Sequence, residues 1–533
     1  MFAALRETLT GEVETSSFMR RCYAEAAGIY AQLPRGVAFP ATAADVRAAV
    51  AFCRRHGLPL TVRGAGSGLV GNNIGRGLVL DVTRHLNRVL GYDPETERAR
   101  TEPGVTCDGL NQALRPHNRF LPPNPSSSAF CTLGGMVASN ASGLRSVKYG
   151  SVAPWVTAIS GVWGTGEAFH VWRPEPGSPP GGGAGGREDG NADPVLGRLA
   201  ALLRESLPPP PSWITRVAKN SAGLRVWPAW DGSRLDPVEL LVGSEGTLAV
   251  FTEIELRTAP LPGGRALLLA AFGSLDDLAR AVELVRPLQP SGVEFLDATF
   301  LDVLRSGSGL ARETIPADAQ AVLYVETEAP TPGLASEAAR EALRAVAPLA
   351  LPGARLAPDA EAAERLWGLR RGASPALARL HPGLVTQQFV EDCAVPPGRF
   401  PDLLAGLRRI FSEEGIPVVL FGHAGESHVH ANPLFDPRDP RRAERIERVA
   451  ERVCGLVEDL DGTLSGEHGD GLARAAFARR RFGGALDFFG DVRRICDPDG
   501  VLNPGKIVPA PGWRTGLDLR QPRGRHGLAA LAV

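Results

Sequence analysis

The sequence predicts an α+β protein of two or three domains, and three observations carry that reading. At 533 residues the chain is longer than one hydrophobic core normally organises. Residues 37–62, VAFPATAADVRAAVAFCRRHGLPLTV, read as strand, amphipathic helix and strand. From about 261 to 415, strand-like runs such as RALLLAAF and AQAVLYVET alternate with Ala-rich helices such as SLDDLARAVELVRPL. That alternation is the pattern of an α/β or α+β layer with helices on one face of its sheet.

In chain order, residues 1–35 read as a helical N-terminal segment with acids throughout and no apolar leader core. Thr42 is placed to cap the first long helix, whose apolar positions fall near 46, 49, 50 and 53. The next strand runs into RGAGSGLVGNN, and GLVLDV follows as another strand. After WVTAISGVWGTGEAFHVW comes a segment dominated by Gly and Pro, expected as a flexible exposed insertion over 171–196. ELLVGSEGTLAVFTEIELRTAP closes a first domain, 36–260. A second domain, 261–470, ends with the strand IPVVLFGH, a histidine-rich stretch and the helix RRAERIERVAERVCGLVEDL. Residues 471–510 form a C-terminal segment and 511–533 a tail.

Composition excludes several roles. A formal net charge of −1 with 22% charged residues creates no field that would draw nucleic acid. Seven dispersed cysteines without a CxxC fit a reducing compartment and supply neither a disulfide framework, a zinc knuckle nor an iron–sulfur cluster. No run of about 18 apolar residues occurs, so a soluble cytoplasmic protein without a transmembrane segment is expected.

Three loops combine glycine with short polar side chains. Gly64, Gly66, Gly68 and Gly71 follow a strand, where glycine lets several backbone N–H groups turn toward one anion; a plain tight turn fits the same residues. No long helix follows, so this is not the Rossmann fingerprint. PPNPSSSAFCTLGGMVASNASGLRSVKYG adds Ser126, Ser127, Ser128, Thr132, Ser139, Asn140 and Ser142 as donors, with Gly134, Gly135 and Gly143 permitting close approach. VGSEGTLAV repeats the style from Val242 to Val250, and three such loops in one domain point to a long polar ligand.

GHAGESHVHANP holds three of ten histidines within eight residues. His428 and His430 share a strand face, and His423 stands at the end of the preceding strand, so a turn can bring imidazoles to one point. Glu467 in SGEHGDG adds a carboxylate. Two His and one Glu leave open positions, as in a catalytic divalent site; hydrogen bonding from the histidines to a substrate carboxylate is the metal-free reading of the same residues. His56, His85, His117, His170, His381 and His526 stand alone and read as ordinary core or surface residues.

RGxGSGLVG, PPNPSS, LGGMVASNASG, KYG, VGSEGTLAVFTE, GHxGExxxHxN, SGEHGDG and DPDGVLNPGKIVP occur in this order from about Phe39 to Pro509. The chain thereby resembles the FAD-linked oxidases of the vanillyl-alcohol-oxidase (PCMH) type, and within them the D-2-hydroxyacid dehydrogenases of glycolate, D-lactate and D-2-hydroxyglutarate. The resemblance implies a two-subdomain PCMH-type FAD-binding domain, an α/β cap with an antiparallel sheet, and a C-terminal segment returning to the flavin. By position, the backbone of Arg63, Gly64, Ala65, Gly66, Ser67 and Gly68 would take the pyrophosphate. Ser126, Thr132, Gly134, Gly135, Ser139, Asn140, Ser142, Gly143, Gly243, Glu245 and Gly246 would line the rest, with Asn503 near the isoalloxazine. Covalent relatives carry a histidine where this loop has Ser67, so non-covalent FAD is expected.

The same resemblance implies that His423, His430 and Glu467 hold zinc or a related divalent metal and that Asn432 touches substrate. His468 would be the base, with a near-neutral pKa, and Arg370, or Arg371 beside it, would hold the substrate carboxylate. Glu426 replaces the usual Asp, and His428 stands where Asn is common, as a further ligand or a donor behind the ligands. Val390 replaces a lysine that some relatives use for a second carboxylate. The activity expected is oxidation of a 2-hydroxyacid by hydride transfer to FAD. Electrons would then pass to a separate iron–sulfur subunit, a quinone-linked carrier or a cytochrome, and homodimer formation is left open. An oxygen-using alcohol oxidase, a non-catalytic flavin electron-transfer subunit and a flavin-free zinc hydrolase are the competing readings.

Overall fold

The computed structural model describes residues 1–174, 185–186, 193–307, 309–371 and 383–521, without the side chain of 371. The first sheet grows from the β-α-β unit. Thr42 accepts from the Asp45 N–H at 3.1 Å and caps the helix Ala43–Arg55, which buries Val46, Ala49, Val50 and Cys53. The strands Gly36–Phe39 and Leu60–Arg63 flank Leu78–Asp81 in parallel, and Glu12–Glu14 adds an antiparallel edge. The N-terminal stretch, expected as helical, thus contributes a strand as well as the short helices Ala3–Thr8 and Ser17–Cys22. Buried Asp45 fastens it by accepting from the N–H groups of Thr10, Gly11 and Ala41.

A second, antiparallel sheet takes the strands Val156–Trp163 and Ala249–Arg257 as its centre. Gly185–Gly186 extends its edge beside Ala168–Trp172. The rest of the insertion expected over 171–196 falls mostly outside the described residues, as do His381, His526 and most of the tail.

The third sheet is antiparallel throughout and runs from Arg355–Ala357 through Gly264–Phe272, Ala321–Ala329, Gly292–Asp297, Val418–His423 and His428–Phe435 to Val385–Thr386. Asp392–Ala394 pairs with the strand His428–Phe435. Helices cover both faces of this sheet, in contrast to the single face expected. Leu268, Ala270 and Phe272 pack with the helices Leu275–Val285, Phe400–Glu413 and Arg442–Asp459, while Leu267, Leu269 and Ala271 pack with Ala298–Gly307 and Ala360–Arg371. Both faces being buried explains why RALLLAAF is continuously apolar instead of alternating.

The chain end then crosses back. Helix Ala485–Cys496 packs in the core of the second sheet, and Leu60 and Asn503 exchange backbone bonds with residues 501 and 60. No helix among the described residues is long and apolar enough to cross a membrane.

Candidate active site

A cavity of about 290 Å³ opens between the first two sheets and the histidine-bearing edge of the third. The loop Gly64–Gly68, the segments around Ser126 and Thr132–Gly135, then Ser139, Ser142, Glu245, Gly246, Glu467 and His468 line it. Among the described residues no hydrogen bond takes up the backbone N–H groups of Ala65, Gly66, Ser67 or Gly68, which leaves donors for an anion. Asn73 Oδ1, also in the lining, is buried and has no partner among the described residues. Open donors beside an orphaned acceptor fit a ligand with phosphates and a heterocyclic donor, as FAD is.

Glu467 joins this cavity to the histidines. Its Oε1 lies 3.2 Å from both His423 Nε2 and His430 Nε2 and 3.8 Å from His468 Nε2. The opposite nitrogens of the first two rings are held from behind: His423 Nδ1 by Glu294, and His430 Nδ1 by Glu391 at 3.4 Å. This orients both Nε2 atoms toward one point, the arrangement that metal-binding imidazoles use. His428 Nε2 donates to Asp392 Oδ1 at 2.7 Å, and its buried Nδ1 has no partner among the described residues. Burial pushes the His428 imidazole down to about 3, so the ring is neutral. His423, His428, His430 and Glu467 each offer an atom within 4.8 Å of the others.

Charge supports the same fit. By formal charge, the connected network sets the carboxylates of Glu294, Glu391, Asp392, Glu426 and Glu467 against Lys219, Arg370 and Arg474, leaving two negative charges. One divalent cation would balance them. Burial opposes charge on His423 and His430, but Glu294 for the first and Glu391 with Glu467 for the second raise them above the ordinary value. Burial likewise opposes charge on His468, yet Glu391 and Asp392 hold it up at about 9, higher than the near-neutral value expected from sequence. Lys219, the largest opposing influence on burial, keeps Glu467 well below the usual carboxylate range.

Other expected site residues stand further back. The Arg63 guanidinium donates to the carbonyls of Tyr23 and Glu25. Asn140 accepts from Ala153 N–H, and Gly143 and Gly243 take positive φ in turns outside the lining. The Asn503 amide donates to the carbonyls of Asn72 and Glu245, both at 2.7 Å, and so ties two cavity loops together from behind. Arg370 Nε pairs with Glu294 Oε2 at 3.2 Å, one carboxylate away from His423; the Arg371 side chain lies outside the described residues. Asn432, on the strand of His428 and His430, accepts from Gln388 Nε2 at 3.4 Å. Lys219, Glu294, Glu391, Asp392 and Asn73 were not singled out from sequence. Of these only the adjacent acids of FVEDCAVPP carried a signal, two charges inside an apolar run.

Two family models match: the FAD binding domain over residues 34–171 and the C-terminal domain of FAD linked oxidases over residues 261–507. With the cavity beside a cluster of imidazoles and carboxylates, they define an FAD-dependent oxidoreductase. The chain belongs to the FAD-linked oxidases, with a PCMH-type FAD-binding domain followed by their C-terminal domain. Glycolate oxidase subunit GlcD of Escherichia coli K12 is 29% identical over 488 residues, 90% of this chain and 85% of the relative. D-2-hydroxyglutarate dehydrogenase of the same strain is 29% identical over 536 residues, 95% of this chain and 51% of the relative, so the chain spans about half its length. The structure of 4-ethylphenol oxidase from Gulosibacter chungangensis, an isoeugenol complex, shares the fold, with TM-score 0.67 at 18% identity over 95% of this chain and 96% of that one.

Proposed function

We propose that this protein oxidises a small D-2-hydroxyacid to the 2-oxoacid, with FAD held non-covalently and a divalent cation at His423, His430 and Glu467. The observation that carries this reading is continuity: Glu467 lines the cofactor cavity with one end of the SGEHGDG loop while its Oε1 faces both Nε2 atoms. Bound there, FAD supplies a two-electron hydride acceptor and the cation supplies Lewis acidity that lowers the pKa of a substrate hydroxyl.

The chain's own residues do the rest. His468 Nδ1 faces Glu391 at 3.1 Å, which fixes a proton on that nitrogen and leaves Nε2, on the Glu467 side, to take the hydroxyl proton. A cation held at His423, His430 and Glu467 would place positive charge beside this imidazole and lower it from about 9 toward the value a base needs. Arg474 pairs with the same Glu391 at 2.7 Å and holds that carboxylate in place. Arg370 is assigned to the substrate carboxylate, and Asn432 to a further contact with the substrate. Electrons then leave to a separate acceptor, which an acceptor screen identifies.

The test is anaerobic mixing of the flavin-loaded protein with glycolate, D- and L-lactate and D-2-hydroxyglutarate, read by flavin absorbance. Bleaching by a D-2-hydroxyacid, abolished by chelator, is expected; indifference to the whole panel defeats the reading. Acid precipitation should leave the flavin in the supernatant.

A further inference from the structure

Lys219 places its amino group in direct contact with a candidate metal ligand, Glu467. It sits in the first domain, between the turn Ser212–Thr215 and the helix Pro237–Leu241, and is 4% exposed. Its Nζ lies 2.8 Å from Glu467 Oε2 and 3.8 Å from Glu426 Oε2. Ser142 Oγ donates to the same Glu467 Oε2 at 2.8 Å. The carboxylate is therefore divided: Oε2 meets an ammonium and a hydroxyl, whereas Oε1 meets His423 and His430 at 3.2 Å each.

Stability does not account for a lysine here. Taking an ammonium out of water costs several kcal/mol, and a buried ion pair commonly gains nothing over apolar residues of the same volume. An apolar pair would serve packing as well, whereas methionine in place of the lysine alone would leave the buried Glu467 and Glu426 carboxylates without their partner. What an apolar side chain cannot do is engage one oxygen of Glu467. A carboxylate with both oxygens available can bind a cation through two atoms, and each extra donor atom closes a position that a catalytic site keeps open.

We propose that Lys219, assisted by Ser142, is a positioning residue that reserves Glu467 Oε2, so that Glu467 binds the cation through one oxygen and a coordination position stays open for the anionic substrate. This rests on the metal reading given above. Two consequences follow for a chain lacking the ammonium. The cation is held more tightly, because a like charge has gone and a second oxygen is released. The site also responds less to an added anion, because the open position is filled.

The experiment uses the full chain, stripped by chelator and titrated with Co²⁺, whose d–d absorption reports coordination, with oxalate then added as the probe anion. Wild type should bind Co²⁺ saturably and change its spectrum with oxalate. Lys219→Met should bind Co²⁺ about tenfold or more tightly and lose the oxalate response. Lys219→Arg should restore both behaviours, and Ser142→Ala should weaken the oxalate response. Wild-type Co²⁺ affinity together with a wild-type oxalate response in Lys219→Met overturns the proposal. Should that variant not fold, an unaltered oxalate response in Ser142→Ala overturns it equally. Wild type that binds no Co²⁺ sinks the metal reading itself, and this inference with it.

Discussion

At the scale of single residues, the site is a set of imidazoles each tied by one nitrogen to a carboxylate. Glu294 backs His423, Glu391 backs His430 and His468, and Asp392 backs His428. His430→Ala should therefore lower bound divalent metal, measured by elemental analysis, and cut turnover by about 100-fold while flavin occupancy is kept. The histidines were legible in the sequence because four of them lie in two short glycine-bracketed stretches. Their backing acids were not. Glu294 and Lys219 reach the cluster from separate parts of the chain, and nothing local marks a Glu or Lys as destined for burial beside it. Asn73 was equally silent, since its exceptional property is an unused acceptor that only packing reveals.

At the scale of elements, helix caps and hydrophobic period read well. Thr42 caps where expected, and the strand–helix–strand order of 36–63 is as read. Faces read less well: an apolar run without alternation shows that a strand is buried but not what covers it, which is why helices on the second face of the large sheet were missed. Buried Asp297 ends one strand of that sheet and accepts from Phe300 N–H at 3.0 Å at the start of the next helix. Burial pushes its carboxyl up to about 6, against the partial relief of Phe300 N–H and Arg408. A folded pKa above the unfolded value of about 3.9 means the native state binds the proton more tightly. Its contribution is therefore full at low pH and is lost as pH rises from about 4 to about 6. Asp297→Asn keeps the capping oxygen and cannot ionise, so its stability relative to wild type should grow across that interval in urea titrations.

At the scale of the whole molecule, the first domain and the cap are joined by charge as well as by packing. Arg145 donates to buried Glu326 at 2.6 Å and lies 3.5 Å from Glu328, which Lys148 and Tyr149 also reach. Removing only the cation strands a carboxylate that is 1% exposed. Arg145→Met should cost about 3–5 kcal/mol in denaturant unfolding, and the double variant Arg145→Met with Glu326→Met should recover much of it. Equal losses in the single and double variants would show that the pair contributes by shape alone. The order of motifs along the chain foretold which family this architecture serves, but not that its two parts would be pinned by this cluster, because the partners lie far apart in sequence, Arg145 at the start of the helix Ser146–Tyr149 and Glu326 on a strand of the third sheet.

The crossing of the chain end sets a timetable for biosynthesis. Asn503 binds the carbonyls of Asn72 and Glu245, so two walls of the cofactor's berth are fastened by a residue translated more than four hundred positions after the first of them. A ribosome that has delivered both sheets of the nucleotide-binding half has still not delivered their clasp. The berth is consequently expected to close only once the segment around Asn503 has emerged, later than the loops that line it.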